Sequence, residues 1–219
     1  MKIFLDTASL KDLRAGVELG VVDGVTTNPT YIAKEGRPIH EQIRAICEIV
    51  DGDISAEVVA LKAPEMVAEG RSLARIHPNV VVKVPLIPEG IKATKTLSSE
   101  GIRVNVTLCF TAVQAMLAAK AGAYIISPFV GRLDDIALDG MALVRDIVTI
   151  YRNYGYPTQV LAASMRGPLH ILEAARAGAH IATMPFKVLE SLFLHPLTDK
   201  GLAQFLADYQ KVFQEAPVG

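Results

Sequence analysis

The sequence predicts an α/β protein: a single (β/α)8 barrel of the TIM-barrel class over residues 1–219, with an extra C-terminal helix. Three observations lead there. Eight short runs rich in β-branched and apolar residues alternate with stretches of helical period, the pattern of parallel βα units. The runs end near residues 6, 27, 57, 83, 107, 127, 164 and 184, so successive ends lie 20 to 37 residues apart. Each interval holds a helix and its loops but no long structureless insert. Glycine also recurs just ahead of a strand. Ala121-Gly122-Ala123-Tyr124-Ile125 is echoed by Ala177-Gly178-Ala179-His180-Ile181, and more weakly by Leu19-Gly20 before Val25-Thr26-Thr27. Repeated helix-to-strand corners need such residues.

In chain order, Lys2–Asp6 is an apolar run closed by an aspartate, and Ser9 caps a helix over Leu10–Leu19 that Gly20 stops. Gly24–Thr27 is the second strand and leads into Asn28-Pro29, a turn-initiating pair. A helix over His40–Val50 precedes strand Asp53–Val59, and one over Glu65–Ile76 precedes Val80–Val84. Arg103–Leu108 is followed by a helix from Thr111, a candidate N-cap, to Ala121. Strand Ala123–Ser127, helix Ala137–Tyr154, strand Gln159–Ala163, helix Leu169–Ala177 and strand His180–Met184 complete the barrel. Pro38, Pro64 and Pro78 fall at element edges, where structure alone accounts for them. After His195-Pro196, residues 198–214 form a helix with Leu202, Phe205, Leu206, Tyr209, Val212 and Phe213 on one stripe. That stripe either closes its own barrel or forms an arm against a neighbouring subunit.

Composition narrows the function. Hydrophobic residues make up 51% of the 219, enough for a sizeable core and too many for a disordered chain. Lys and Arg number 22 against 23 Asp and Glu, so no basic excess points to nucleic acid. Cys47 and Cys109 have no partner at CxxC spacing and read as buried free thiols. The five histidines are scattered, so no metal is expected. No apolar run reaches the ~18 residues of a membrane span, and Met-Lys-Ile-Phe-Leu-Asp meets a charge too early for a signal peptide. A cytoplasmic protein without membrane contact is expected.

Lys83 is the strongest anomaly, a lysine inside Val80-Val81-Val82-Lys83-Val84-Pro85. Burial disfavours an ammonium ion and frees the amine as a nucleophile, whereas a lysine at the strand's exposed end, paired with a carboxylate, is the plain alternative. Three further strands carry polar residues toward their C-terminal ends, the end where barrel enzymes build their sites. Residues i and i+2 share a face, so Asn105 pairs with Thr107 and Ser55 with Glu57, while Asp6 ends the first strand. Ser127-Pro128-Phe129-Val130-Gly131-Arg132 and Ser164-Met165-Arg166-Gly167 each follow a strand with a serine and an arginine, a donor set suited to a phosphate monoester. The plain alternatives are a salt bridge from Arg132 to Asp134 or Asp135, and an exposed loop position for Arg166. The helix start at Gly167-Pro168 adds backbone donors. Asn28 is either a turn residue or a ligand for a substrate hydroxyl.

Phe4-Leu5-Asp6-Thr7-Ala8, Thr26-Thr27-Asn28-Pro29, Val82-Lys83-Val84-Pro85, Asn105-Val106-Thr107-Leu108 and Ser127-Pro128-Phe129-Val130-Gly131-Arg132 together resemble the successive signatures of the transaldolases. The match is to the small subfamily that also contains fructose-6-phosphate aldolase, from residue 4 to about 186. The resemblance implies a metal-free, cofactor-free aldol mechanism through a Schiff base on Lys83. It makes Asp6 the acid–base group and Glu57 and Thr107 the holders of a proton-shuttling water. Asn28 and Asn105 would bind the dihydroxyacetone portion, with Ser127 and Phe129 in the same site, and Arg132, Ser164 and Arg166 would bind the phosphate.

By the family pattern, Glu57 and Phe129 are the transaldolase choices, where the aldolase has glutamine and tyrosine. Phenylalanine cannot donate a proton to an enamine, so transfer is favoured over cleavage. The expected reaction is sedoheptulose 7-phosphate plus glyceraldehyde 3-phosphate giving erythrose 4-phosphate plus fructose 6-phosphate. Fructose-6-phosphate aldolase and a non-catalytic sugar-phosphate-binding barrel are the alternatives. The resemblance also implies a homo-oligomer, pentamer or decamer, which favours the arm reading of residues 198–214.

Overall fold

The computed structural model describes residues 1–214, with side chains to Val212. Eight parallel strands close into a barrel in sequence order: β1 (Lys2–Asp6), β2 (Gly24–Thr26), β3 (Asp53–Glu57), β4 (Val80–Pro85), β5 (Val104–Cys109), β6 (Ile125–Pro128), β7 (Gln159–Ala162) and β8 (Ile181–Met184). The helices are α1 (Leu10–Glu18), α2 (Pro29–Glu35), α3 (Ile39–Cys47), α4 (Ala63–Ala74), α5 (Pro88–Ser99), α6 (Ala112–Ala121), α7 (Val130–Asp134), α8 (Gly140–Tyr154), α9 (Pro168–Ala177), α10 (Phe186–Ser191) and α11 (Pro196–Gln214).

The outward faces of the strands pack on the helices in one large apolar cluster. A smaller cluster of Phe4, Val81, Ile125, Leu161, Ala163 and Ile181 fills the barrel itself. Gly24 makes room for it, because a Cβ there would lie 2.5 Å from Phe4 Cζ and 2.6 Å from the Asp53 carbonyl oxygen. The N-terminal end is plugged by Asp53, which receives Arg103 and the Tyr124 hydroxyl, while the Arg103 guanidinium lies 5.2 Å from the Tyr124 ring centre. Polar access to the interior is left to the other end.

The cap residues read from the sequence cap their helices. Ser9 Oγ accepts from Asp12 N, and Thr111 with Gln114 forms a reciprocal capping box. Gly122 and Gly178 end α6 and α9 with φ of 93° and 83°. Three boundaries differ from expectation for visible reasons. β3 stops at Glu57 because the amides of Val59 and Ala60 turn to Glu69 Oε2 instead of a neighbouring strand. α8 starts at Gly140, not Ala137, because Ala137 is left-handed (φ 61°) and Asp139 is the cap. The expected Asn28-Pro29 turn is the start of α2: Asn28 Oδ1 accepts from Tyr31 N, and Pro29 occupies the first turn, where its missing N–H costs nothing.

Cys109 is buried and its thiol faces the Thr111 carbonyl, whereas Cys47 is only half-buried, a correction to the expectation of two buried thiols. Burial pushes the Cys109 thiol up to about 12, as befits a core residue. The last helix begins at Pro196 and leaves Leu197, Leu202, Phe205, Leu206, Tyr209 and Val212 each more than half exposed. Its stripe is therefore not buried on its own barrel. The side chain of Phe213, assigned to the same stripe, and residues 215–219 lie outside the described part of the chain.

Candidate active site

Strand register gathers the polar residues. Parallel pairing sets Asp6 beside Thr26, Thr26 beside Ser55, Glu57 beside Lys83 and Lys83 beside Asn105. Side chains alternate across a strand, so these residues share the inward face near the C-terminal end. Asp6, Thr26, Glu57 and Lys83 open into a cavity of about 620 Å3. Of the expected site residues, Asp6, Asn28, Glu57, Lys83, Thr107, Ser127, Phe129, Arg132, Ser164 and Arg166 all line it.

Lys83 is 5% exposed. Its Nζ donates to Glu57 Oε2 at 2.9 Å and to the Thr27 carbonyl at 2.9 Å. The lysine is therefore buried, not at an exposed strand end, although it does carry the carboxylate partner of the plain alternative. A buried pair does little for stability against an apolar substitute, so its presence points to use.

Asp6 faces the same cavity with hydroxyls on both oxygens: Thr26 Oγ1 donates to Oδ1 at 2.7 Å and Tyr31 Oη to Oδ2 at 3.4 Å. Thr26 Oγ1 also lies 2.6 Å from Thr183 Oγ1; with the Thr26 proton committed to Asp6, Thr183 is the donor there. Desolvation pushes the Asp6 carboxyl above its ordinary value, against the opposing pull of Lys83, Thr26, Tyr31 and Arg132. A carboxyl raised in this way suits proton exchange with substrate.

Asn105 is the one expected site residue that does not line the cavity. It is fully buried beneath Lys83, donating to Ser55 Oγ at 3.0 Å and accepting from Ser127 Oγ at 2.7 Å. This network stiffens the floor across β3, β5 and β6. Thr107 Oγ1, by contrast, is buried with no partner among the described residues and faces the cavity. The chain twists just past it: Leu108 has φ of 59° and the β5–β6 register shifts between Val106 and Cys109. Ser164 has φ of 60°. Two of the three left-handed non-glycine residues among the described residues therefore line this cavity, where held strain fixes geometry.

The far rim carries the arginines. Arg132 lies with its guanidinium 4.9 Å from the Phe129 ring centre, not on Asp134 or Asp135. Those carboxylates are taken by others: Asp135 by Arg166 at 2.7 Å and Asp134 by His170 Nε2 at 3.0 Å. Gly131 permits the close approach of the two loops, since a Cβ there would sit 2.3 Å from the Ser164 carbonyl oxygen and 2.4 Å from Arg166 Nε.

Sequence reasoning missed Thr26, Thr183 and Tyr31 as site residues. Thr26 and Thr183 show only once register is known. Tyr31 was hidden by reading Asn28-Pro29 as a turn; the same pair is also a cap followed by a first-turn proline, which puts residue 31 one turn into a helix.

A buried lysine touching a carboxylate, a second carboxyl held by hydroxyls, and a basic rim can form an imine with a carbonyl, move a proton on a hydroxyl and hold an anion. Among the described residues, no three His, Cys, Asp or Glu gather where they could hold a metal ion, and no helix is long and apolar enough to cross a membrane.

Known proteins resemble the chain along nearly its whole length. The chain is 61% identical over 218 residues to a protein of Herpetosiphon aurantiacus named probable transaldolase, covering 100% of this chain and 99% of that one. Proteins of the same name from Moorella thermoacetica (61% over 212 residues; 97% of this chain, 99% of that one) and Kosmotoga olearia (61% over 211; 96% and 97%) are equally similar. Residues 3–216 match the transaldolase/fructose-6-phosphate aldolase family, so the chain belongs to that family and is an enzyme of the transaldolase type.

Proposed function

We propose that the enzyme transfers a dihydroxyacetone unit between sugar phosphates through a Schiff base on Lys83, converting sedoheptulose 7-phosphate and glyceraldehyde 3-phosphate into erythrose 4-phosphate and fructose 6-phosphate. The observation that carries this is the 2.9 Å contact between Lys83 Nζ and Glu57 Oε2 at the wall of the cavity that also holds Asp6. The cavity volume lies in the range that takes small ligands, ~300–1,000 Å3.

Glu57 accepts the lysine proton, and the free amine adds to C2 of the ketose. Glu57 and the Thr107 hydroxyl manage the water lost as the carbinolamine becomes an iminium. Asp6 takes the C4 hydroxyl proton; the C3–C4 bond breaks and its electrons pass into the iminium, leaving an enamine on Lys83 and a free aldose. The enamine then attacks the second aldehyde, Asp6 returns the proton, and hydrolysis frees the new ketose. Asn28 and Ser127 line the dihydroxyacetone end, with Asn105 acting through Ser127. Arg132, Ser164 and Arg166 hold the phosphate, and binding remote from the reacting carbons fixes their geometry.

The test is reduction with borohydride in the presence of fructose 6-phosphate, followed by peptide mass analysis. A dihydroxyacetone-derived adduct on Lys83 is expected; an unmodified Lys83 in folded, active protein would overturn the assignment.

Phe129 supports transfer over cleavage. It packs edge-on to Phe110 at 5.8 Å and presents no donor to the enamine. Phe129→Tyr is expected to raise acceptor-free formation of glyceraldehyde 3-phosphate from fructose 6-phosphate by about 10-fold or more, less than the ~10^2- to 10^4-fold of a fully positioned general acid because the phenol is introduced into a site not built around it. A coupled assay run without acceptor measures it, and an unchanged ratio of cleavage to transfer would remove Phe129 from the argument. Self-association is supported by two exposed apolar surfaces, the Leu197, Leu202, Phe205, Leu206 and Val212 side chains of α11 and a groove of about 900 Å3 bordered by Leu86, Ile87, Ile91 and Leu117; the pentamer or decamer is what the family resemblance implies. A cytoplasmic location fits these substrates.

A further inference from the structure

Tyr31 stands at the third position of α2, on a backbone fixed by the Asn28 cap, and its phenol reaches across the cavity mouth to Asp6 at the end of β1. Its ring packs partly against the core, and Lys34 Nζ lies 5.7 Å from the ring centre. The phenol therefore meets Asp6 from a defined direction, on the oxygen that Thr26 leaves open. We propose that Tyr31 is a positioning residue for the acid–base step, its hydroxyl holding Asp6 Oδ2 so that the carboxylate stays aimed at the C4 hydroxyl of the bound sugar. This rests on Asp6 being the acid–base group.

Three features support it. Asp6 has a donor on each oxygen, and removing the phenol would take from Oδ2 its side-chain donor among the described residues. The 3.4 Å separation is long for a hydroxyl donating to a carboxylate oxygen, as is common before substrate closes a site, and it can tighten on binding. The phenol also keeps its proton: burial and the adjacent Asp6 push Tyr31 up to about 12, so it remains a donor throughout the neutral range.

The direction of the effect follows. A donor favours the carboxylate form of Asp6, so deleting it moves proton loss to higher pH. Asp6 also feels Lys83 from β4 and Arg132 from α7; Glu57 pairs with Lys83 from β3, and Arg166 and Lys34 lie near the phenol. Tyr31→Phe changes none of these charges.

The experiment is the pH profile of kcat/KM for fructose 6-phosphate, with saturating erythrose 4-phosphate, for the wild type, Tyr31→Phe, Asp6→Asn and protein with 3-fluorotyrosine incorporated only at position 31. Tyr31→Phe is expected to move the acidic limb up by about half to one pH unit and lower kcat about 3- to 10-fold. Its KM should stay within about twofold of wild type, because a lost orientation acts on the chemical step. The fluorinated phenol is a stronger donor and moves the limb the other way. An acidic limb that stays in place in both Tyr31 proteins, while Asp6→Asn is inactive, overturns the role of Tyr31 alone. An Asp6→Asn protein as active as wild type overturns the acid–base assignment and this inference with it.

Discussion

Lys83→Met is expected to lower transfer by on the order of 10^4-fold or more and to abolish the borohydride-trapped adduct. In the proposed mechanism every covalent step runs through its amine, and its hydrogen-bond partners, the Glu57 carboxylate and the Thr27 carbonyl, cannot form an imine. The variant also has a stability signature. Glu57, with its side chain 13% exposed, loses its cation, and breaking a buried pair from one side costs about 3–5 kcal/mol. Lys83→Met with Glu57→Gln removes the stranded charge and should recover most of the lost thermal midpoint while staying inactive. Calorimetry and the coupled transfer assay check both halves. Recovery of stability without activity separates the chemical role of the pair from its structural one.

Asp6→Asn is expected to cost about 10^2- to 10^4-fold in kcat for transfer, the usual worth of a positioned acid–base group. The amide keeps the shape, and its oxygen can still accept from Thr26, so the polar chain from Thr183 is preserved. What is lost is the ability to take the C4 proton. The iminium forms before that step, so borohydride should still trap the ketose on Lys83, now with its full carbon chain. Mass analysis of the trapped peptide distinguishes an intact hexose adduct from the three-carbon adduct of wild type. An Asp6→Asn protein that traps only the three-carbon unit would show that bond cleavage proceeds without this carboxyl.

The barrel was legible in the sequence because its signals are local and repeated. Eight apolar runs, capping residues such as Ser9 and Thr111, and Gly122 and Gly178 at the corners all act within a few residues. Lys83 and Glu57 were legible as chemistry because each interrupts a strand on one face. Their mutual contact depends on the register between β3 and β4, which no residue pattern states. Asn105 shows the limit from the other side: period two put it on the inward face, correctly, but one layer too deep to touch the cavity. Arg132 and Arg166 likewise sit near the mouth as expected, yet their acidic neighbours are distributed differently because loop geometry assigns Asp135 to Arg166. Tyr31 was hidden because Asn-Pro serves equally as a turn and as a helix start, and only the helix brings a phenol over Asp6.

The ion pair between Arg166 and Asp135 sets a tempo as well as a contact. Both side chains are more than half exposed, and a pair of that kind is held by no more than ~1 kcal/mol. If Arg166 binds the substrate phosphate as proposed, an incoming phosphate displaces Asp135 at small cost, and a departing one leaves the guanidinium a ready place to return. In a two-stage exchange the first aldose must leave before the second can enter, so an anchor that lets go quickly serves throughput better than one that grips. In the proposed mechanism, the resting partner of Arg166 would thus shorten product residence in a site whose deeper groups would hold the three-carbon fragment covalently.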